Sequence, residues 1–352
     1  MSTKKKSVLI KVLKMSLFIP AILFFVLILA FVIFYFWASS GTQPRDKLSE
    51  IITYTDTPGP RQTQEIFTVM TYNTGYLSGM TNNRPEKRPG KSFFDKNMES
   101  LLQLLEKIQP DVIGIQEIDL YSQRSYYVNQ LETIARKAGY PYAARAINWD
   151  KRYLPFPYWP PSVHFGRVLS GQAVLSRWPI LSTERIVLSK PKSKPFFYNA
   201  FYLDRLIQVV KIKIGSREMI ILNVHLDDID RETREEQAKR LLNIYHSFKD
   251  DYPVLLMGDF NSIPPDAPQK KDFPDEPGMD FRNDRTIPFF LEDSNLKAAD
   301  IDTFTFPTNN PTRKLDYIFY TQDKIELIKA FVPGIAGSDH LPTVMQFSLK
   351  VN

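Results

Sequence analysis

The sequence predicts an α/β domain that follows a single N-terminal transmembrane helix. Two observations support this fold class. Residues 17–37 form an uncharged, predominantly apolar run, and its 21 residues are long enough as a helix to cross a bilayer core of about 30 Å. Beyond residue 65, short apolar segments typical of strands alternate with segments of helical periodicity, which is the order of elements expected for an α/β fold.

Five lysines precede the apolar run, and the first 40 residues contain no acidic residue. These lysines are Lys4, Lys5, Lys6, Lys11 and Lys14. The positive-inside rule therefore predicts a single-pass membrane protein with a cytoplasmic N-terminus and an extracytoplasmic domain. A cleaved signal peptide is the alternative, since residues 38–40 are small, but the run exceeds the about 7–15 apolar residues of a signal core.

Composition narrows the classes of function. The chain carries a net charge of +6, and without the five N-terminal lysines about +1 remains, so the basic charge belongs to the tail and not to a nucleic-acid-binding surface. The absence of cysteine excludes disulfides and thiolate metal sites.

Residues 41–65 are polar and proline-containing, which indicates a tether. We therefore expect a basic cytoplasmic tail (1–16), a transmembrane anchor (17–38), a linker (39–65) and a folded domain (66–352).

The folded domain begins with a predicted strand–helix–strand unit. Residues 67–72 are strand-like and end at Asn73, and residues 93–108 have helical spacing. The next strand, 112–115, places Glu117 just after its end. Polar groups at the ends of neighbouring strands commonly build an α/β active site. Glu117 is therefore a candidate metal carboxylate, and an ordinary exposed glutamate is the alternative.

Residues 140–168 contain five prolines and, from residue 149 onward, six large aromatic side chains. The prolines predict an irregular segment. Its aromatic residues either form a rim that grips an apolar substrate or rests on the bilayer, or they pack onto the domain as a long loop. We interpret His164 within it as a structural residue.

Three strands are predicted next. The segment 171–180 is a strand followed by an Arg-Trp-Pro turn, and the other two strands lie at 205–214 and 219–224. His225 follows the last of them and is a candidate hydrogen-bond donor to phosphate or a general acid, although an isolated histidine is more often structural. Asp227 and Asp228 are candidate caps of an amphipathic helix that runs to about residue 248.

The segment 253–264, PVLLMGDFNSIP, places a carboxylate and an amide directly after a buried strand. Gly258 allows the chain to turn there, and Asp259 and Asn261 follow it. Oxygen ligands of this kind suit a metal-bound phosphate. The alternative is ordinary turn chemistry.

The C-terminal third supplies three more candidate residues. Residues 263–288 are rich in proline and aspartate and predict a surface loop. A strand at 315–320 carries Asp316, and Asp339 and His340 precede a final strand at 343–349. Because adjacent residues of an extended chain point to opposite sides, Asp339 and His340 can serve two neighbouring groups.

The motifs TYN, IQEI, LSRWPI, NVHL, GDFN, LDYIF and SDHLP occur in this order over residues 66–350. Together they resemble the endonuclease/exonuclease/phosphatase superfamily. The resemblance implies a four-layer sandwich, in which two mixed β-sheets are flanked by helices, and a divalent metal, Mg²⁺ or Mn²⁺, at the edges of the sheets.

The resemblance also implies roles for the candidate residues. Glu117 looks like the principal metal ligand, with Asn73 and Asp339 beside it. Gly75 stands where apurinic endonucleases carry an aspartate ligand, which leaves the number of metals open. Asp259 looks like the residue that orients or deprotonates the attacking water, and Asn261 looks like a hydrogen-bond donor to the phosphate. His340 looks like the imidazole at the phosphate, and Asp316 looks like the carboxylate that fixes its tautomer. His225 resembles the second histidine of the deoxyribonuclease and sphingomyelinase branches.

We therefore expect a membrane-anchored, metal-dependent phosphoesterase that acts outside the cytoplasm on a phosphodiester or phosphomonoester. Its substrate is a lipid-linked phosphate, a nucleic acid or a small molecule, and no obligate protein partner is expected. An extracytoplasmic nuclease is the first alternative, although it requires a positive groove along the nucleic-acid backbone. A non-catalytic binding domain on the same fold is the second.

Overall fold

The computed structural model describes residues 3–54, 65–82, 88–334 and 337–350, except for the side chains of residues 3–13 and 17. Short 3₁₀ turns aside, the helices are α1 (Thr3–Ser39), α2 (Lys91–Ile108), α3 (Gln130–Ala138), α4 (Phe196–Asn199), α5 (Arg231–His246) and α6 (Thr286–Leu291). The strands are β1 (Ser49–Thr53), β2 (Ile66–Asn73), β3 (Val112–Asp119), β4 (Tyr142–Leu154), β5 (Gly166–Ser176), β6 (Ile180–Val187), β7 (Leu206–Ile214), β8 (Arg217–His225), β9 (Val254–Asp259), β10 (Lys271–Phe273), β11 (Glu276–Asp280), β12 (Leu296–Ala298), β13 (Asp316–Thr321), β14 (Ile325–Phe331) and β15 (Thr343–Leu349).

Two mixed sheets make up the domain. In the described residues, one sheet has the strand order β1-β4-β5-β3-β2-β15-β14 and the other has the order β12-β13-β9-β8-β7-β6. Each sheet contains one parallel pair, β2 with β3 and β8 with β9, and the other pairs are antiparallel. Helix α2 connects the first parallel pair, and α5 connects the second. The predicted sandwich of two mixed sheets flanked by helices is confirmed.

The central strands are apolar on both faces because each face packs against a different layer. In β2, Val69 packs between the sheets, whereas Met70 packs in the layer that contains Leu101 of α2. In β9, Leu255 packs between the sheets, and Leu256 packs beneath α5 and α6. This period of two residues is the strand periodicity, and both of its phases are buried here.

A buried polar layer joins the two sheets beneath the strand ends. Gln116 Nε2 of the first sheet donates to Asn223 Oδ1 of the second sheet at 2.6 Å. Asn223 Nδ2 in turn donates to Gln208 Oε1 at 3.1 Å and to the Ile115 carbonyl at 3.2 Å. Directional hydrogen bonds between amides in a dry interface favour one alignment of the sheets.

The expectation of irregular structure over residues 140–168 is wrong for most of the segment. Residues 142–154 form β4, a central partner of β1 and β5. The prolines at 141, 155, 157, 160 and 161 flank this strand and do not interrupt it, so every position within it keeps its backbone N–H.

The expected linker, residues 39–65, is not a tether throughout. Residues 49–53 form the edge strand β1, which pairs antiparallel with β4. Nearer the helix, the backbone N–H groups of Thr42 and Gln43 donate to Asp150 at 2.6 and 2.7 Å. These contacts hold the chain that leaves α1 against the domain. Residues 55–64 lie outside the described residues.

Two further expectations are corrected. Residues 263–288 include the β10–β11 hairpin and the start of α6, because Phe273 and Phe281 form a small core of their own. The cap of α5 is Asp230, whose carboxylate accepts the Glu232 N–H at 3.1 Å, and not Asp227 or Asp228.

Helix α1 projects from the domain. Its segment Lys14–Ser39 is the one described helix long and apolar enough to cross a membrane, and most of its described apolar side chains are exposed. Its last turns contact the domain, since the Tyr35 and Phe201 rings lie 5.5 Å apart and those of Phe34 and Tyr153 lie 5.9 Å apart.

Candidate active site

The carboxyl ends of the two parallel strand pairs carry most of the candidate residues. Asn73 ends β2. Glu117 lies near the end of β3, where the pairing register between β3 and β5 shifts. In the second sheet, His225 of β8 is paired with Asp259 of β9, and Asp259 is also paired with Asp316 of β13. Because the sheets face each other, these strand ends meet in one cluster.

Asp259 is the centre of this cluster. Its Oδ2 accepts a hydrogen bond from Asn73 Nδ2 at 2.9 Å and lies 3.6 Å from His225 Nε2 and 3.7 Å from His340 Nε2. Its Oδ1 accepts the Asn261 backbone N–H at 2.9 Å. Burial raises the pKa of Asp259 to about 7, with a further contribution from Asp316 that His340 opposes.

The two histidines beside Asp259 are held in different charge states. His340 Nδ1 lies 2.9 Å from Asp316 Oδ2, and although burial alone would lower its pKa, the carboxylates of Asp316 and Asp259 raise the pKa of His340 well above its usual value. For His225, burial, Arg205 and His340 together lower the pKa well below the usual value. The site therefore presents one imidazolium and one neutral imidazole.

Glu117 and Asp339 form a pair of carboxylates beside the Asp259 cluster. Asn82 Nδ2 lies 3.0 Å from Glu117 Oε2 and 3.2 Å from Asp339 Oδ2, so one amide serves both acids. Burial and the neighbouring Asp339 raise the pKa of Glu117 to about 7, and burial raises the pKa of Asp339. Asp339 also accepts a hydrogen bond from Ser338 Oγ at 3.2 Å. Two largely buried acids that share the Asn82 amide form an electrostatically unfavourable pair that a cation would relieve.

Gly75 makes room for this pair. Its φ is +50°, and a Cβ at this position would lie 2.5 Å from Asp339 Oδ1. A side chain at position 75 would therefore require Asp339 to shift. Glu117 and Asn261 also have positive φ values, 52° and 48°, in keeping with the backbone strain common at functional sites.

The structure brings all eight predicted site residues to one region. Asp259, Asp316 and His340 offer ligand atoms within 4.8 Å of one another, a grouping that differs from the expected metal ligands, Glu117, Asn73 and Asp339. The hydrogen bond between His340 and Asp316 already explains why these three side chains lie together.

Asn73 keeps an oxygen lone pair for a cation. Its Oδ1 accepts the Gly75 N–H at 3.0 Å, which leaves the other lone pair of that oxygen free to bind a metal.

Asn82 and Arg205 are members of the site that sequence reasoning missed. Asn82 lies in a polar segment without periodicity, so no pattern marks it. Arg205 precedes β7 and is buried, with Nη2 donating to the Tyr202 hydroxyl at 2.9 Å and to Asp228. A buried arginine cannot be distinguished from an exposed one by sequence alone.

His164 has the structural role expected of it, with Nδ1 2.7 Å from the Tyr153 hydroxyl.

Residues 70–340 match the model of the Endonuclease/Exonuclease/phosphatase family. The chain belongs to this family. Members of the family are mostly hydrolases that act on phosphoesters and usually use a divalent metal. No curated protein sequence matches the chain.

Solved structures of the endonuclease/exonuclease/phosphatase family share its fold at low sequence identity. A family protein from Beutenbergia cavernae DSM 12333 has a TM-score of 0.58 at 19% identity, covering 81% of this chain and 72% of that one. The human Nocturnin catalytic domain with bound sulfate has a TM-score of 0.54 at 17% identity, covering 88% and 100%. The mannosyl-6-phosphatase Bt3783 of Bacteroides thetaiotaomicron VPI-5482 has a TM-score of 0.53 at 17% identity, covering 81% and 100%.

Proposed function

We propose that this protein is a membrane-anchored, divalent-metal-dependent phosphoesterase that hydrolyses its substrate by attack of water on phosphorus. The observation that carries the proposal is the position of the Asp259 carboxylate between a charged and a neutral histidine. Hydrolysis at phosphorus needs an oriented water and donors to the phosphoryl oxygens, and this arrangement supplies both.

The donor set fits a hard cation such as Mg²⁺ or Mn²⁺. Asp339 is buried and Glu117 is partly buried, and the two acids share the Asn82 amide. Together with Asn73 they would supply the oxygen ligands. A cation bound there would offset the negative charge of the phosphoryl oxygens.

Asp259 is suited to orient and deprotonate the attacking water. Its pKa of about 7 places it near the operating range of a general base at neutral pH. The Asn73 amide and the Asn261 backbone N–H fix its two oxygens, so the carboxylate is held in one orientation. This role requires Asp259 to be deprotonated when the substrate binds.

His340 and His225 divide the remaining work. Asp316 fixes the orientation of the His340 imidazolium, which is suited to donate a charge-assisted hydrogen bond to a phosphoryl oxygen. The Asn261 side chain donates to the Leu226 carbonyl at 3.0 Å and keeps a second N–H for the phosphate. His225 is suited to an uncharged hydrogen bond with substrate or water.

The test is hydrolysis of 4-nitrophenyl phosphate and bis(4-nitrophenyl) phosphate by the purified full chain with Mg²⁺ or Mn²⁺. We expect Asp259→Asn and His340→Gln each to lower kcat/KM by at least about 100-fold. Activity that survives both substitutions would overturn the mechanism. Plasmid DNA in the same panel tests the nuclease alternative, and cleavage of DNA in preference to both esters would favour it.

A further inference from the structure

An aromatic cavity of about 940 Å³ lies between the end of α1 and the domain. Its lining comes from three places: residues 31–36 of α1, residues 149–165 around β4, and residues 196–203 around α4. The same lining includes Glu117 and Arg205 of the active site. Its volume is at the upper end of the range of about 300–1,000 Å³ typical of ligand sites.

Arg205 provides the polar anchor of this cavity. Its side chain is 2% exposed, and its Nη2 binds Tyr202 and Asp228, but its Nη1 has no hydrogen-bond partner among the described residues. Burial would lower the pKa of Arg205, but Tyr202 and Asp228 raise it well above the usual value, so the guanidinium stays charged. A buried charged N–H without a partner is suited to an anionic oxygen such as that of a phosphate.

The apolar part of the cavity is continuous with the predicted membrane span. Phe31 and Val32 line the cavity and belong to the same exposed apolar helix as Leu23 and Leu27. On the domain side, Phe197 is 55% exposed. A hydrocarbon chain leaving the bilayer beside α1 would therefore meet apolar surface all the way to the cavity.

We propose that this cavity is an acyl-chain site for a membrane lipid that carries a phosphoester. The lipid places a hydrocarbon chain between α1 and the domain and an anionic oxygen of its phosphate at Arg205, next to Glu117. This inference rests on the proposed function and names the substrate class of the same site. A soluble sugar phosphate offers no apolar group that would fill the cavity.

Photo-crosslinking tests the occupant directly. The full chain is placed in phosphatidylcholine nanodiscs that contain a phosphatidic acid analogue with a diazirine at the end of one acyl chain. We expect labelled peptides from residues 149–165 or 196–203 in addition to α1. Labels confined to α1 would overturn the inference, because α1 contacts lipid whether or not the cavity is filled.

A matched pair of variants separates the cavity from general surface effects. Phe197→Asp introduces a charge into the cavity lining at a half-exposed position, so the fold should tolerate it. Tyr121→Asp is its control, because Tyr121 is 53% exposed and lies outside the lining. We expect Phe197→Asp to reduce labelling of the domain by about tenfold or more and Tyr121→Asp to leave it unchanged. Equal effects of the two variants would overturn the inference.

Kinetics distinguishes failure of this inference from failure of the proposed function. The kcat/KM values of two phosphodiesters, methyl 4-nitrophenyl phosphate and hexyl 4-nitrophenyl phosphate, are compared with the same protein and Mg²⁺. Both esters are kept below the concentrations at which they aggregate. Because each buried methylene gives about a fourfold gain, burial of only two of the additional methylenes would raise kcat/KM by about tenfold or more, and we expect the hexyl ester to exceed the methyl ester by at least that factor. Hydrolysis of both esters at equal rates, without labelling of the domain, overturns the acyl-chain site alone. Labelling of the domain without hydrolysis of either ester supports the site and overturns the proposed function.

Discussion

Asp316→Asn is the substitution that tests the His340 assignment most sharply. It keeps the volume of the side chain and removes the charge that lies 2.9 Å from His340 Nδ1. Asp316 is fully buried, and its Oδ1 has no hydrogen-bond partner among the described residues, so its main interaction with the site is with His340. The substitution therefore acts on the orientation and charge of the imidazole, and it also removes the contribution of Asp316 to the raised pKa of Asp259.

The expected loss follows from the nature of this contact. A preorganised donor to a developing negative charge is typically worth about 100- to 1,000-fold in rate. We expect kcat/KM of Asp316→Asn on bis(4-nitrophenyl) phosphate to fall by that factor. Asp302→Asn, at an exposed position of the preceding loop, is the control and should remain within about twofold of the wild type.

A second readout comes from histidine titration by NMR, which is practical because the chain has only four histidines. Asp316 raises the pKa of His340, so in the metal-free protein the substitution should lower it, and the imidazolium should be lost at a lower pH than in the wild type. Wild-type kcat/KM together with an unchanged His340 titration would refute the role assigned to this pair.

Three further predictions concern the metal pair and the membrane topology. Gly75→Ala should weaken Mn²⁺ binding by about tenfold in calorimetry, because the new Cβ would displace Asp339. Gly79→Ala is the control, since Gly79 has a similar φ of +52° but a Cβ there would make no contact shorter than 3.3 Å, and it should affect stability alone. Equal Mn²⁺ affinities of the two variants would contradict this prediction. Glu117→Gln should abolish measurable Mn²⁺ binding. The thermal unfolding temperature should be maintained or raised, because a partly buried acid that is repelled by Asp339 is removed, and unchanged affinity would exclude Glu117 as a ligand. A cysteine introduced at the exposed Lys192 should react with an impermeant maleimide in right-side-out vesicles, and reaction only after permeabilisation would reverse the topology.

The sequence was sufficient for the features that local pattern determines. The strands at residues 67–72, 219–224 and 343–349 are apolar runs of strand length, and the structure has strands at each of them. The helix at residues 93–108 was equally clear from its spacing. The two facing sheets were predicted from the family resemblance that the ordered motifs carry, and not from the pattern of any single segment.

The features that depend on long-range contacts could not be predicted. Strand β1 is a short edge segment whose hydrogen bonds depend on β4, almost 100 residues away. Asn82 and Arg205 owe their importance to neighbours brought together by the fold, and neither lies in a motif. The aromatic residues of 149–165 become a cavity only because α1 packs beside them.

The most direct test of the account is hydrolysis of a phosphodiester in water labelled with heavy oxygen, with the full chain and Mg²⁺. Attack of water on phosphorus predicts heavy oxygen in the phosphate product of the wild type, and the role of Asp259 predicts that turnover by Asp259→Asn is lower by at least about 100-fold. Heavy oxygen in the released alcohol, or undiminished turnover by Asp259→Asn, would contradict the central claim that Asp259 prepares a water for attack on phosphorus.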